Sequence, residues 1–386
     1  MKQMYILKSV SFMNVTILKD PCPHEKRVAI TPQIVKKLLI NGATNINIEA
    51  SAGEQAGYHD AEYKEAGASI IENRSATLKQ TDIVLCVNYP LKETLTELKP
   101  HACVVGIAQA THNPHIIECA QENKLSLFAM EKLPRITRAQ SMDVLSSQSN
   151  LAGYRAVIEA AYLYDRVFPM MMTAAGTVPP ARVIVIGTGV AGLQAIATAK
   201  RLGCVVSAFD VRTAAKEQVE SLGATFIEVE AAKAEDDTSG YAQEVTSQYK
   251  ERQAEKLLQE LKKTNIVITT ALIPGKPAPK IITSAMVKNM PKGSIIVDLA
   301  APMGGNCELT QLGDTPLQAA HGIKVYGPHN ILSHVAYEAS QLYAKNLLAF
   351  MTLLTNKETQ AVDYSLKDEL VAGTLLVNKG EIVQAQ

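Results

Sequence analysis

The stretch Ala181 to Arg212, ARVIVIGTGVAGLQAIATAKRLGCVVSAFDVR, decides the fold, because a buried strand, a glycine turn, a helix and a strand-terminal acid follow one another in it. Val183 to Ile186 is a β-branched run suited to a parallel strand covered on both faces. Gly187, Gly189 and Gly192 then supply the G-x-G-x-x-G spacing of a dinucleotide-binding βαβ unit. Each glycine has its own task. Gly187 allows the tight turn, Gly189 lets the backbone approach a pyrophosphate, and Gly192 lets the helix pack on its strand, while the helix N-terminus offers N–H groups to the phosphates. Asp210 closes the second strand about 20 residues further on, where a carboxylate accepts hydrogen bonds from ribose hydroxyls and repels a 2′-phosphate. Arg212 pulls the other way, since a guanidinium there can pair with a 2′-phosphate. Asp210 therefore favours NAD without excluding NADP.

Composition narrows the class. With 386 residues, 47% of them hydrophobic and 20% charged, the chain reads as an ordinary globular protein with room for two cores. A formal net charge of zero argues against nucleic acid as a partner. Cys22, Cys86, Cys103, Cys119, Cys204 and Cys307 form no C-x-x-C pair, which points to buried, reduced thiols in a cytosolic compartment rather than to disulfides or a metal site. No stretch has the roughly 18 uninterrupted apolar residues of a membrane helix. The most apolar candidate, Val335 to Leu354, carries Glu338 and Lys345. Met1 to Met13 does not resemble a signal peptide, and residues 1–12 are expected to be a disordered extension.

Strand-like and helix-like segments alternate along the chain, the pattern of parallel sheets with covering helices. A first series has strands near Val15 to Leu18, Ile46 to Glu49, Ile83 to Val87, Val104 to Ala108 and Ser126 to Ala129, with helices near Pro32 to Ile40 and His115 to Gln121. A second contains the strands starting at Arg182 and Val205, then Thr225 to Val229, Ile266 to Thr270, Ser294 to Leu299 and Ile323 to Val325. Long helical segments at Asp143 to Phe168 and Val335 to Leu354 flank the second series. The expected fold is α/β, with two Rossmann-like or flavodoxin-like lobes joined by these helices. The first lobe is discontinuous, residues 13–142 plus 331–386, and the second covers 143–330, with a ligand cleft between them. Ala231 to Glu251 is polar and interrupts the alternation. It reads either as a solvated loop or as a mobile lid with Gly240 and Tyr241 at its tip.

The run LPRITRAQSMDVLSSQSNLAGYRAV from Leu133 to Val157, followed by FPMMMTAAGTVPPARVIVIGTGVAGLQAIATAKRLG, resembles the NAD(H)-binding component of proton-translocating NAD(P) transhydrogenases. KEQVESLGA, SGYA, TTALIPGKPAP, VDLAAPMGGN and NLLAF extend the resemblance from about Met13 to the C-terminus. Lacking membrane helices, the chain resembles the alpha subunit of the split bacterial form. The resemblance implies an α/β dinucleotide-binding protein that holds NAD(H) and passes hydride, in the Si-specific/Re-Si-specific reaction, to or from NADP(H) on a partner beta subunit. It also implies a small membrane alpha subunit as a further partner, a homodimer, and a peripheral position on the cytoplasmic side of a bacterial inner membrane.

Residue by residue, the resemblance assigns Arg135, Gln140, Asp143 and Ser146 to the dihydronicotinamide and its ribose, with Gln140 positioning the ring. Ile136, Thr137, Ser141 and Met142 would line the same run. Gly187, Thr188, Gly189, Val190 and Gly192 would hold the pyrophosphate, Asp210, Val211 and Arg212 the adenosine ribose, Gly240 and Tyr241 the closing loop, and Leu272 the nicotinamide side. The plainer alternative for Arg135, Gln140, Asp143 and Ser146 is that polar residues before a helix cap or solvate it.

Two other readings compete. Alanine dehydrogenase shares the architecture and the RVAITP segment at Arg27 to Pro32, but its substrate-binding lysine, catalytic histidine and catalytic aspartate fall on Asn88, near Gln109 and on Pro302. Arg27 alone remains, which suits a scaffold role. The third reading is a catalytically silent NAD-binding module. Transfer of hydride between two nicotinamides needs no accompanying proton, so the missing acid–base residues fit transhydrogenation equally well.

Overall fold

The β-branched runs of the first series become neighbouring strands of one sheet, because each is apolar on both faces and needs cover above and below. The computed structural model describes residues 13–109, 114–228, 247–273, 275–356, 359 and 361–383. Two units result, one formed by Met1–Gln148 with Leu332–Gln386 and the other by Ser149–Ile331.

The first unit carries an eight-stranded sheet. From one edge the order is Glu381–Ile382, Leu375–Asn378, Ser126–Ala129, Cys103–Ile107, Ile83–Asn88, Asn14–Ile17, Asn45–Ile48 and Ser69–Ile70. The strands from Asn14–Ile17 to Ser126–Ala129 pair in parallel. Helix Pro32–Ile40 starts with proline in its first turn, where the missing N–H costs nothing, and buries Ile34, Val35 and Leu38. The C-terminal pair is an addition that the strand runs did not announce. Leu375–Asn378 joins Ser126–Ala129 antiparallel and turns back through Lys379 and Gly380, whose φ values of 49° and 91° are what a two-residue hairpin with the chain's twist requires. Helix Ala336–Leu354 packs Tyr343, Leu347 and Phe350 into the same core.

The second unit carries seven strands in the order Thr225–Phe226, Val205–Phe209, Arg182–Ile186, Ile266–Thr269, Ile295–Asp298, Lys324–Tyr326 and Leu317–Gln318. All but the last pair in parallel. From Arg182–Ile186 the chain builds outward in one direction and then in the other, so the order reverses beside Ile266–Thr269. That is the doubly wound arrangement, with its ligand crevice at the carboxyl ends of those strands. Helix Val144–Leu163 runs through the boundary between the units, and its Ala156, Val157 and Ala160 lie in the second core. A hairpin, Met171–Thr173 with Gly176–Val178, lies outside both sheets with every residue exposed.

Within the polar segment 231–251, residues from Ser247 onward belong to helix Ser247–Leu261, which corrects the reading of that end as loop. The helix's buried anchors, Leu257 and Leu261, lie beyond the segment, so its first turn carries no apolar signal. Gly240 and Tyr241 fall outside the described residues. Among the described residues, no helix is long and apolar enough to cross a membrane.

Candidate functional site

The candidate residues form two groups, one in each unit. In the second unit, strand Arg182–Ile186 delivers the chain into the glycine turn at the switch point. Gly187 has φ +90°, and a Cβ there would lie 2.7 Å from Thr270 Oγ1. Its carbonyl accepts from Thr270 Oγ1 at 3.0 Å, and its N–H donates to Phe209 at 2.9 Å. Gly192 is needed for a different reason from helix-to-strand packing. A Cβ on Gly192 would stand 1.9 Å from the Gly187 carbonyl oxygen, so the third glycine is what lets the turn close on its own helix. Gly189 is the opposite case. It precedes helix Val190–Arg201 without a side-chain cap, and a Cβ on it would meet nothing within 4 Å. Open space in front of an uncapped helix N-terminus, with N–H groups facing out, suits a pyrophosphate.

A fourth glycine belongs to this turn. Gly153, in the middle of helix Val144–Leu163, comes so close to the next helix that a Cβ would stand 2.0 Å from the Ala191 carbonyl oxygen. Its sequence signal was its place: glycine inside a helix costs about 1 kcal/mol relative to alanine and usually marks a close approach.

Asp210 sits just past strand Val205–Phe209, its side chain only 6% exposed. Oδ2 accepts from the Thr188 N–H and from Thr188 Oγ1, both at 2.7 Å, and from Arg212 Nη2 at 3.0 Å. Oδ1 accepts from the Arg212 N–H at 2.9 Å and Nε at 3.1 Å. Burial by itself would raise this carboxyl, but the hydrogen bonds from Arg212 and Thr188 outweigh it and hold the group at about 2. A ribose hydroxyl arriving at Asp210 would thus share it with Arg212, whose side chain is 63% exposed and free to yield. Val211 beside it is exposed. Because the folded value lies below the ordinary 3.8, the stability it supplies is present above that value and is lost as pH falls through about 2. Denaturation between roughly pH 5 and pH 2 is expected to show a fall of about 1 kcal/mol, after screening, that Asp210→Asn abolishes. An unchanged slope in the variant would contradict the assignment.

In the first unit, Thr137–Met142 forms a 3₁₀ turn with Ala139 and Met142 buried beneath it. Asn346 of helix Ala336–Leu354 pins the turn, donating to the Ser141 carbonyl at 2.8 Å while its Oδ1 accepts from Ser147 Oγ at 2.7 Å. Arg138 anchors the other side through two bonds to Asp368, at 2.8 and 2.6 Å. On this fixed turn Thr137 is exposed and Ile136 half-buried. Arg135 and Gln140 are exposed as well, and among the described residues neither side chain makes a hydrogen bond or ion pair. Asp143 and Ser146 differ. Asp143 Oδ1 accepts the Ser146 N–H at 2.9 Å and Oδ2 accepts Ser146 Oγ at 2.5 Å, so Asp143 caps helix Val144–Leu163. The turn brings together two free polar groups and one capping pair.

Arg27 is wholly engaged. It is buried, bonds Glu25 through Nε at 2.8 Å and Nη2 at 2.6 Å, gives Nη1 to Gln148 at 2.9 Å and lies 5.9 Å from the Tyr343 ring centre. Asn88, beside it in a cavity of about 300 Å³, donates to Asp20 at 3.1 Å. These groups satisfy one another, which makes Arg27 a scaffold residue.

Leu272 follows the strand Ile266–Thr269 in the second unit and is 54% exposed. Sequence reasoning missed Asn306, which is fully buried and bonded to the backbone just before Leu272. The residues present fit a dinucleotide: an open glycine turn, an uncapped helix end and a preorganised acid.

Comparison with known proteins agrees with this geometry. The family model for the alanine dehydrogenase/PNT N-terminal domain matches residues 16–152, and that for the C-terminal domain matches residues 156–385. The chain is 50% identical over 378 residues to the first part of a two-part NAD(P) transhydrogenase subunit alpha of Rhodospirillum rubrum, covering 96% of this chain and 98% of that one. The corresponding protein of Rickettsia prowazekii is 44% identical, with 96% of each chain covered. The crystal structure of a transhydrogenase from Sinorhizobium meliloti superposes with a TM-score of 0.86 at 46% identity, covering 96% of this chain and 100% of that one.

Proposed function

The chain belongs to the alanine dehydrogenase/PNT family, and we propose that within it this chain is the NAD(H)-binding subunit of a proton-translocating NAD(P) transhydrogenase. The observation that carries the reading is the glycine turn, whose open face at Gly189 and uncapped helix end meet a preorganised Asp210.

Bound NADH supplies a hydride from its ring, and because the acceptor is a second nicotinamide, NADP⁺ on the partner beta subunit, no proton has to move at the reacting centre. Orientation is then the protein's task. Gly187 to Val190 hold the pyrophosphate, Thr188 and Arg212 fix Asp210 for the adenosine ribose, and Arg135 and Gln140 present free donors to the nicotinamide. Asp143 and Ser146 act on that ring's ribose only by way of the capped turn they build. Gly240 and Tyr241 close over the site.

Coupling to proton movement, and the peripheral place on the cytoplasmic side of a bacterial inner membrane, come through the beta subunit and the small alpha subunit. The exposed hairpin with Met171, Met172 and Val178 supports a homodimer, since three large apolar side chains on one ribbon seek cover. Sedimentation of the chain alone is expected to give the dimer mass, and a monomer at micromolar concentration would contradict this. The paired state of Arg27 weighs against alanine dehydrogenase activity. Incubated alone with NADH, pyruvate and ammonia, the chain is expected to show no turnover, and amination would favour that competitor.

A further inference from the structure

We propose that Asn306 is a positioning residue for the nicotinamide side of the site, clamping the backbone at Ala271 so that Leu272 stands where the ring packs. The inference rests on the reading that NADH lies across the switch point.

Asn306 and Asp298 are both fully buried. Asn306 Oδ1 accepts the Ala271 N–H at 3.0 Å, and Nδ2 donates to the carbonyls of Ala271 and Pro279, each at 2.9 Å. The side-chain amide thus gives Ala271 both bonds that a neighbouring strand would give. The Asn306 carbonyl in turn accepts from Ile281 and Ile282 at 2.7 and 3.0 Å. Its N–H donates to Asp298 Oδ2 at 2.7 Å. Asp298 also receives Thr269 Oγ1 at 2.8 Å, Thr310 Oγ1 at 2.6 Å and the N–H groups of Ala300 and Cys307 at 3.0 and 3.1 Å. Glycine at 305 is required for the loop to bend over this carboxylate, because its φ is +81° and a Cβ would stand 2.8 Å from Asp298 Oδ2.

The position of the clamp gives it meaning. Pairing of Ile266–Thr269 with its neighbours ends at Thr269, so the amide orders backbone beyond the sheet rather than within it. On one side of Ala271, Thr270 bonds the carbonyl of Gly187 in the glycine turn. On the other, Leu272 and Ile273 are 54% and 45% exposed. An apolar pair held at the carboxyl end of this strand, across the switch point from Asp210, is where the second mononucleotide half of a dinucleotide lies. Its backbone has to be fixed, since a displacement of about 1 Å can cost up to about 100-fold in rate.

The test uses Asn306→Ala in the full chain, with three readings: hydrogen exchange at the Ala271 amide, NADH affinity, and single-turnover hydride transfer to the NADP(H)-binding partner at saturating NADH. Expected are exchange and transfer altered by about 10-fold or more, with affinity changed by less than about threefold. Unchanged exchange, or transfer lost only in proportion to affinity, would overturn the clamp. If Asn306→Ala does not fold, Lys280→Ala takes its place. Lys280 is exposed and bonds the Gly304 and Cys307 carbonyls of the same loop, so the same readings are expected to move by about threefold. A wild-type chain that transfers no hydride, while the variant's Ala271 exchange rises, would sink the transhydrogenase reading and leave the clamp standing.

Discussion

Alanine at Gly192 is expected to abolish NADH binding together with the fold of the turn, whereas alanine at Gly189 is expected to leave the fold intact and still weaken NADH on the order of 100-fold. At Gly192 the new methyl would stand 1.9 Å from the Gly187 carbonyl oxygen, a backbone atom that cannot step aside without reopening the turn. Overpacking of this kind costs about 1–3 kcal/mol or more. At Gly189 the methyl meets nothing in the protein, and φ −73° with ψ −168° suits any residue. Stability should change by less than about 0.5 kcal/mol there, as for an ordinary surface site. The space it enters is the space a pyrophosphate needs. Thermal melts and fluorescence titrations with NADH separate the two cases. Full affinity in Gly189→Ala would mean that the phosphates lie elsewhere.

Shortening Gln140 to asparagine is expected to slow hydride transfer about 100-fold while NADH affinity and stability stay within a few-fold of the original. Gln140 is exposed and, among the described residues, has no partner, so nothing in the fold depends on its length. The turn beneath it is held by Asn346, by Arg138 with Asp368 and by buried Ala139 and Met142, and so will not follow the shortened side chain. The amide would instead fall short by one methylene. Stopped-flow transfer with the partner, beside equilibrium binding, measures both quantities, and an unchanged transfer rate would remove Gln140 from the positioning role.

Much of this architecture was legible because it is local. The run at Val183 to Ile186, the three glycines and Asp210 each carry their signal within a few residues, and the structure puts them at the switch point of the sheet. The antiparallel strand Leu375–Asn378 was harder, since a short strand from the end of the chain gains its partner, Ser126–Ala129, only by tertiary return. Asp143 looked like a ligand and also like a cap. Its bonds to Ser146 make it a cap, the reading that spacing before a helix supports by itself. Gly153 and Asn306 were unread for one reason: each acts on backbone far along the chain, Ala191 and Ala271, and no window of sequence contains both partners.

The most direct measurement is NADPH-driven reduction of an NAD⁺ analogue by the purified chain, with and without the NADP(H)-binding domain of a transhydrogenase beta subunit. Turnover only in the presence of the partner is the predicted result. No turnover with a competent partner, although the chain binds NADH, would contradict the catalytic reading and leave a binding module in its place.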